Sequence, residues 1–372
     1  MRDAAPSTQV EMNYMRRAHD LALAGWGQTA PNPMVGAVVV AGGAIVGEGA
    51  HRRYGEEHAE VEALRGAAER ARGATLYVNL EPCAHVGKTP PCVDAVIAAG
   101  VSRVVIPIRD PSAIARGGVE RMRAAGITVD VGVERTAALE LNAAFFNAHA
   151  SDRPWLTVKL ALSADGAIAD PGGKQRWITG LESRAEVHHM RANADAIAVG
   201  VGTVLADDPS LTVRGVPAPR IAPRRVVFDS SLRTPMDASI VQSARSAETI
   251  FIVAPDKAPP EKRDAIIAAG AQVVAMPSAR DALAWLRASG VRSLLVEGGA
   301  RLAGSLLGES LVDRLVIFRS RLVLGSEAPQ AFAFAPRDFE AALDAVRVVD
   351  ERRFQDDVMT TYALKGVPCS PD

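Results

Sequence analysis

The chain has 372 residues, more than one typical hydrophobic core holds, so two domains are expected. Apolar residues make up 48% and charged residues 23%, the balance of an ordinary soluble globular protein. A formal net charge of −1 offers no basic surplus to a polynucleotide, and three cysteines are too few for a disulfide framework.

Apolar periodicity predicts an opening helix from Glu11 to Ala24, closed by Gly25. A hairpin follows, MVGAVVV and AIVGEGA, turning at Gly42-Gly43. HAEVEALRGAAERA reads as a helix that begins at His58. After it come strand ATLYVNL, the loop EPCAHVGKTPPC, helix CVDAVIAAG and strand SRVVIPI. A helix near Val119 to Ala125, strand ITVDV and one helix through Leu141 and Phe145 complete the first half. This alternation argues for an α/β layered sheet with helices on its faces. The polar, Pro-ended stretch HASDRP marks a boundary, giving domains 1–150 and 151–372.

The second half starts again with strand PWLTVKLALS and continues through ADAIAVG, RRVVFD, TIFIVA, a helix from Glu261 to Ala269, RSLLVEG and DRLVIFR. The last residues, GVPCSPD, which hold Cys369, read as a frayed tail. No apolar stretch is long enough to span a bilayer and no signal-peptide pattern opens the chain. A cytoplasmic protein without a membrane partner is expected.

The constellation with chemical content is His58-Ala59-Glu60, followed by Pro82-Cys83 and Cys92. One imidazole and two thiolates give zinc three protein ligands and leave a fourth position open, the mark of a catalytic site. Glu60 is placed to pass a proton from the attacking water to a leaving group. His-x-Glu with a later Pro-Cys…Cys is the signature of zinc-dependent base deaminases, in which the glutamate is the general acid/base and not a ligand. Taken singly, a histidine at a helix start reads as a cap and cysteines read as small buried hydrophobes. Together they read differently, because two of the three cysteines share one loop of Pro, Gly and polar residues, a poor core segment. Cys92 also opens a helix, whose N-terminus favours the thiolate.

In the second half, strand AIAVG exits into Gly200-Val201-Gly202-Thr203, and SLLVEG exits into Gly298-Gly299 before ARLAGSLLG. Such glycines either bring backbone amides to a phosphate or serve tight turns. Neither run is a Rossmann fingerprint; after Gly200-Val201-Gly202, Leu205 stands where the third glycine would be. Glu297 at a strand end is costly to bury unless paired, and suits a pocket mouth. Arg191 and Arg214 are candidate phosphate forks, but among 42 Lys and Arg the reading as solvated surface charges prevails on the residues alone. Trp177 reads as an edge-packing residue or a stacking platform.

With these residues in hand, the chain resembles the bifunctional riboflavin-biosynthesis deaminase–reductase family across nearly its whole length. The matching stretches are PNPMVGAVVV, HAEVEAL and NLEPCAHVGKTPPC, then KLALSADGAIA, RWITG, VGVGTVLADDPSLTVR and VEGGARLAGSLL. Eight residues separate Cys83 from Cys92, where many other deaminases have only two. The resemblance implies an N-terminal cytidine-deaminase-like domain and a C-terminal dihydrofolate-reductase-like domain. It implies zinc-dependent deamination of 2,5-diamino-6-ribosylamino-4(3H)-pyrimidinone 5′-phosphate, followed by NADPH-dependent reduction of the ribosyl group to ribityl.

By the same resemblance His58, Cys83 and Cys92 hold zinc, Glu60 is catalytic, and Asn32 contacts the pyrimidine. Ala161, Trp177, Thr203, Asp207, Ser230 and the run Gly299, Ala300, Arg301, Leu302, Ala303, Gly304 and Ser305 match cofactor-contacting positions. Gln175, Arg191, Leu211, Arg214 and Glu297 match substrate-contacting positions, with the arginines near the ribose phosphate. The partner implied is a small pyrimidine ribose-phosphate and no nucleic acid, with room for a homo-oligomer through the reductase domain. The other reading is a zinc deaminase of another base or nucleotide joined to an inactive reductase-like domain. Two departures stand out. Ala84 replaces the serine common after the first cysteine, and the stretch after Asp110-Pro111, Ser112 to Arg116, is about one residue shorter than the family's glycine-bearing loop.

Overall fold

The computed structural model describes residues 8–172 and 175–368. They form two compact units, one running to Ser151 and taking back the chain at Val367, the other Asp152–Gly366.

In the first unit, β1 (Gly36–Ala41), β2 (Ala44–Ala50), β3 (Thr75–Val78), β4 (Arg103–Ile106) and β5 (Thr128–Val131) form one sheet in the order β2-β1-β3-β4-β5. β1 runs antiparallel to β2 and β3, while β3, β4 and β5 are parallel. The β1–β2 turn places Gly42 and Gly43 at φ +57° and +81°, values that glycine adopts without strain. Ala37 and Val39 face one helical layer, whereas Val38 and Val40 face Met15 and Ala18 on the other. Burial on both faces explains why β1 reads as an unbroken apolar run. Gly47 and Gly49 let helix Ala59–Ala67 lie directly on β2, since a Cβ at either would sit 2.2 Å from a carbonyl oxygen of that helix.

The opening helix spans Gln9–Ala22 and tightens into a 3₁₀ turn, Leu23–Gly25. It begins earlier than the apolar pattern suggests because Thr8 and Glu11 form a reciprocal capping box. The single helix expected through Leu141 and Phe145 is two, Arg135–Leu141 and Ala143–Ala150. The buried Asn142 interrupts it: its amide accepts from Met34 N at 2.8 Å and donates to Met34 O at 2.9 Å, which ties the junction to the chain before β1.

The second unit carries a nine-stranded sheet. Its strands are β6 (Trp155–Leu162), β7 (Ala196–Gly200), β8 (Arg224–Phe228), β9 (Thr249–Val253), β10 (Gln272–Ala275), β11 (Ser293–Glu297), β12 (Arg314–Arg319), β13 (Val348–Phe354) and β14 (Asp357–Ala363). The order is β10-β9-β8-β7-β11-β6-β12-β14-β13, parallel as far as β12 and antiparallel through the final hairpin. β11 lies between β6 and β7, so the strand order reverses there, and ligands of open α/β sheets bind beyond the strand ends at such a point.

The tail is not wholly frayed. Val367 packs against the cluster of Leu80, Ile108, Ala138 and Phe146 in the first unit, while Cys369 lies outside the described residues. No helix among the described residues is long and apolar enough to cross a membrane.

Candidate active sites

The first site is assembled from two helix starts and one loop. His58 occupies the N-cap position of helix Ala59–Ala67 in extended conformation, Glu60 lies in that helix's first turn, and Cys92 opens helix Cys92–Ala99. Cys83 lies on the loop after β3. His58 Nδ1 is 3.1 Å from Cys92 Sγ and 3.7 Å from Cys83 Sγ, and the three donor atoms lie within 4.8 Å of one another. Cys92 N donates to Cys83 Sγ at 3.4 Å.

The electrostatics of this triad suit a divalent cation. The hydrogen bond from Cys92 holds the Cys83 thiol down near 4 against desolvation, with His58 adding to the effect. The same hydrogen bond and burial push the Cys92 thiol up, so the pair retains one proton. The hydrogen bond to Cys83 also raises the His58 pKa against burial. Zinc binding displaces the protons that such a set of thiols and imidazole holds. Glu60 is only 3% exposed, and its Oε2 has no hydrogen-bond partner among the described residues. Burial raises its pKa to about 6, which suits a group that takes and returns a proton near neutrality. The residues present therefore fit a catalytic zinc.

Asn32 enters this site through His51, a residue the sequence reading does not single out. His51 is buried, its Nδ1 lies 3.0 Å from the Glu57 carbonyl, and its Nε2 lies 3.3 Å from Asn32 Nδ2. The carbonyl assigns the proton to Nδ1, which leaves Nε2 to accept from the Asn32 amide. The His51 ring also stands edge-on to His58, with centroids 4.9 Å apart. A second histidine in HRRYGEEHAE was the available signal.

The second site lies at the ends of β6, β7 and β11. The two glycine exits are joined: Gly299 N donates to Thr203 Oγ1 at 3.2 Å. Gly299 is the N-cap of helix Ala300–Gly308, so free amides of that helix start at the crevice. Gly304 has a packing reason instead, because a Cβ there would sit 2.4 Å from Phe334 O, and Arg301 lies over the Phe334 ring at 4.8 Å. Ala161 pairs with Phe318 in the middle of the sheet, Ser230 is exposed just past β8, and Asp207 ends the helix after β7, its pKa raised by burial.

Arg191 and Glu297 form a buried bidentate pair at 2.5 and 2.9 Å, each side chain 12% exposed, and Arg191 Nη1 also donates to Thr212 O. Burial alone would raise the Glu297 pKa, but Arg191, with Lys159 and His188, holds it below the ordinary value. Lys159 faces Glu297 across the β6–β11 register, and burial lowers its pKa. An alternate lysine in a strand reads as part of a solvated face, so no sequence signal marks Lys159. Arg214 is exposed, with its backbone N–H on His188 Nδ1 at 3.2 Å. Leu211 adopts φ +49° and buries its side chain in the core, so only its backbone is available to a ligand. Trp177 is 53% exposed with the Arg184 and Arg176 guanidinium groups 4.6 and 5.2 Å from its ring centroid, and Gln175 Nε2 donates to Trp177 O.

Comparison with known proteins finds matches to both units. The cytidine and deoxycytidylate deaminase zinc-binding region matches residues 8–108, and the RibD C-terminal domain matches residues 154–355. The chain belongs to the RibD family. The riboflavin biosynthesis protein RibD of Aquifex aeolicus is 44% identical over 85% of this chain and 88% of its own length. Its counterpart in Escherichia coli is 42% identical over 85% and 89%. The structure of Acinetobacter baumannii RibD superposes with TM-score 0.80 at 33% identity, covering 95% of this chain and 99% of that one. That of the Thermotoga maritima diaminohydroxyphosphoribosylaminopyrimidine deaminase/5-amino-6-(5-phosphoribosylamino)uracil reductase superposes with TM-score 0.79 at 33% identity, covering 95% and 98%. A zinc-binding, cytidine-deaminase-like domain and a dihydrofolate-reductase-like reductase domain are thus both present, as in the bifunctional deaminase–reductases of riboflavin biosynthesis, and the second implies a nicotinamide cofactor.

Proposed function

We propose that the unit before Asp152 hydrolyses the 2-amino group of 2,5-diamino-6-ribosylamino-4(3H)-pyrimidinone 5′-phosphate, and that the second unit reduces the ribosyl group of the product to ribityl with NADPH. The observation that carries this reading is the convergence of His58, Cys83 and Cys92 beside a buried carboxyl oxygen of Glu60 that has no partner among the described residues.

Zinc held by the three donors would supply a Lewis acid that makes water acidic enough to attack near neutral pH. Glu60 takes the proton released by that water and returns it to the departing amine, which leaves poorly unless protonated. Asn32, steadied by His51, hydrogen-bonds the pyrimidine edge and fixes which carbon faces the attack.

NADPH supplies hydride when bound at the two glycine exits. Opening the ribose ring for reduction at its first carbon releases an oxygen that needs a proton. Lys159 is suited to deliver it, as a buried ammonium whose pKa is already lowered. All three guanidinium nitrogens of Arg191 are engaged by Glu297 and Thr212. That leaves Arg214 as the cation for the substrate phosphate and gives Arg191 the task of holding Glu297 in place.

The test is one cuvette containing the purified chain, the diaminopyrimidine phosphate and NADPH. Ammonia release accompanied by NADPH oxidation is expected, with no oxidation before deamination. Ammonia without NADPH loss would refute the reductase assignment, and neither signal from zinc-replete protein would refute both.

A further inference from the structure

We propose that Glu81 is a positioning residue for the metal centre, clamping the loop that carries Cys83 onto the segment that follows β4. This rests on the reading of His58, Cys83 and Cys92 as zinc ligands. His58 and Cys92 sit at helix starts, whereas Cys83 is the one ligand of the three on a loop, so its place must be set from outside.

Glu81 is 3% exposed, and its carboxylate accepts from three backbone N–H groups. Its Oε1 takes Gly117 N at 3.2 Å and Val119 N at 2.9 Å, while its Oε2 takes Asp110 N at 3.0 Å. A buried carboxylate is costly unless so satisfied, and charge-assisted bonds of this kind are the strong ones. The flanking residues engage the same segment. A Cβ on Gly118 would sit 2.1 Å from Pro82 O, so this contact needs a glycine, and Ala84 N donates to Ala115 O at 2.9 Å. Residues 81, 82 and 84 are therefore all fastened to one stretch, with Cys83 between them. Ala115 itself packs against Cys83 and Cys92. The shortened loop after Asp110-Pro111 thus serves as the bracket of the metal loop. Glutamine at position 81 would keep the size but turn one acceptor into a donor facing an N–H group.

The test compares zinc dissociation constants, by chelator competition on the full chain, for the wild type, E81Q, Gly118→Ala and Val38→Ala. Val38 is buried in β1 among Met15 and Ala18, so its truncation lowers stability without touching the clamp. E81Q is expected to weaken zinc by about ten- to hundredfold, the range of outer-shell substitutions, with Gly118→Ala in the same direction and Val38→Ala near the wild type. If E81Q lacks the melting transition of the first unit, Gly118→Ala, which keeps the carboxylate, decides alone. A constant unchanged by both clamp variants, or shifted equally by Val38→Ala, overturns the proposal while leaving the zinc reading intact. A wild type that holds no zinc overturns both.

Discussion

In the first unit the chemistry sits on side chains drawn from three short stretches, and each is left electrostatically unfinished. Glu60 has a buried oxygen without a partner among the described residues, and the two cysteines share a proton. In the second unit the charged groups are paired: Arg191 holds Glu297 in a bidentate ion pair, Lys159 faces the same carboxylate across the β6–β11 register, and the two glycine exits are joined by the bond from Gly299 N to Thr203 Oγ1. The difference follows from where the reactive atom comes from. A hydrolase whose acid/base is a side chain must keep that group poised and therefore strained. A reductase receives its hydride from a cofactor and asks its side chains mainly to orient the reactants, with the proton proposed to come from Lys159 as the exception.

The largest effect should come from removing the unfinished group. Glu60→Gln is expected to lower ammonia release by about a thousandfold while keeping zinc, since general acid–base contributions fall near that size. NADPH oxidation with the already deaminated substrate should stay within about twofold of the wild type. A parallel fall in both activities would break the contrast, because it would mean the two sites share machinery.

A smaller effect is expected from unfinishing the second site. Arg191→Met leaves Glu297 buried without its bidentate partner, a change that costs about 3 kcal/mol in comparable buried pairs. Hydrogen exchange should show that loss across β6, β7 and β11 and leave β1 to β5 protected. If the second unit keeps its full stability, the pair is not the structural keystone the geometry makes it.

What could be read in advance divides along the same line. His58, Glu60, Cys83 and Cys92 were legible because few residue types bind zinc, and the loop that carries Cys83 is a poor core segment. Glu81 was not, because its partners are backbone N–H groups 29 to 38 residues away and carry no residue-type signal. The pairing of Arg191 with Glu297 spans 106 residues and is fixed only when β11 inserts beside β6. Most strands of the second sheet are apolar runs, easily seen, but β13 reads VVDERRF, a charged edge strand with no buried residue to give it a strand pattern. The break at Asn142 was equally hidden, since it depends on a hydrogen bond to Met34 across the fold.

The smallest effect tests the cost of the poised state itself. With zinc removed, Glu60 has an ordinary pKa of 4.5 in the unfolded chain and about 6 in the folded one. A raised folded pKa adds stability that is fully present below 4.5 and is lost as pH climbs through 6, so above that range the ionised carboxylate works against folding. The rise is worth about 2 kcal/mol, and a glutamine at this position escapes it. In chelated protein, Glu60→Gln should therefore match the wild type at pH 4 and exceed it by about 2 kcal/mol at pH 7.5 in denaturant melts. Glu297 offers the opposite case. Its folded pKa is depressed, so its contribution is complete above 4.5 and disappears only in acid, and Glu297→Gln should show no gain anywhere in that window. A Glu60→Gln advantage that is flat with pH would mean that removing charge relieves something other than desolvation. Glu60 would then be a packed neutral residue and not a carboxyl group held ready for proton transfer.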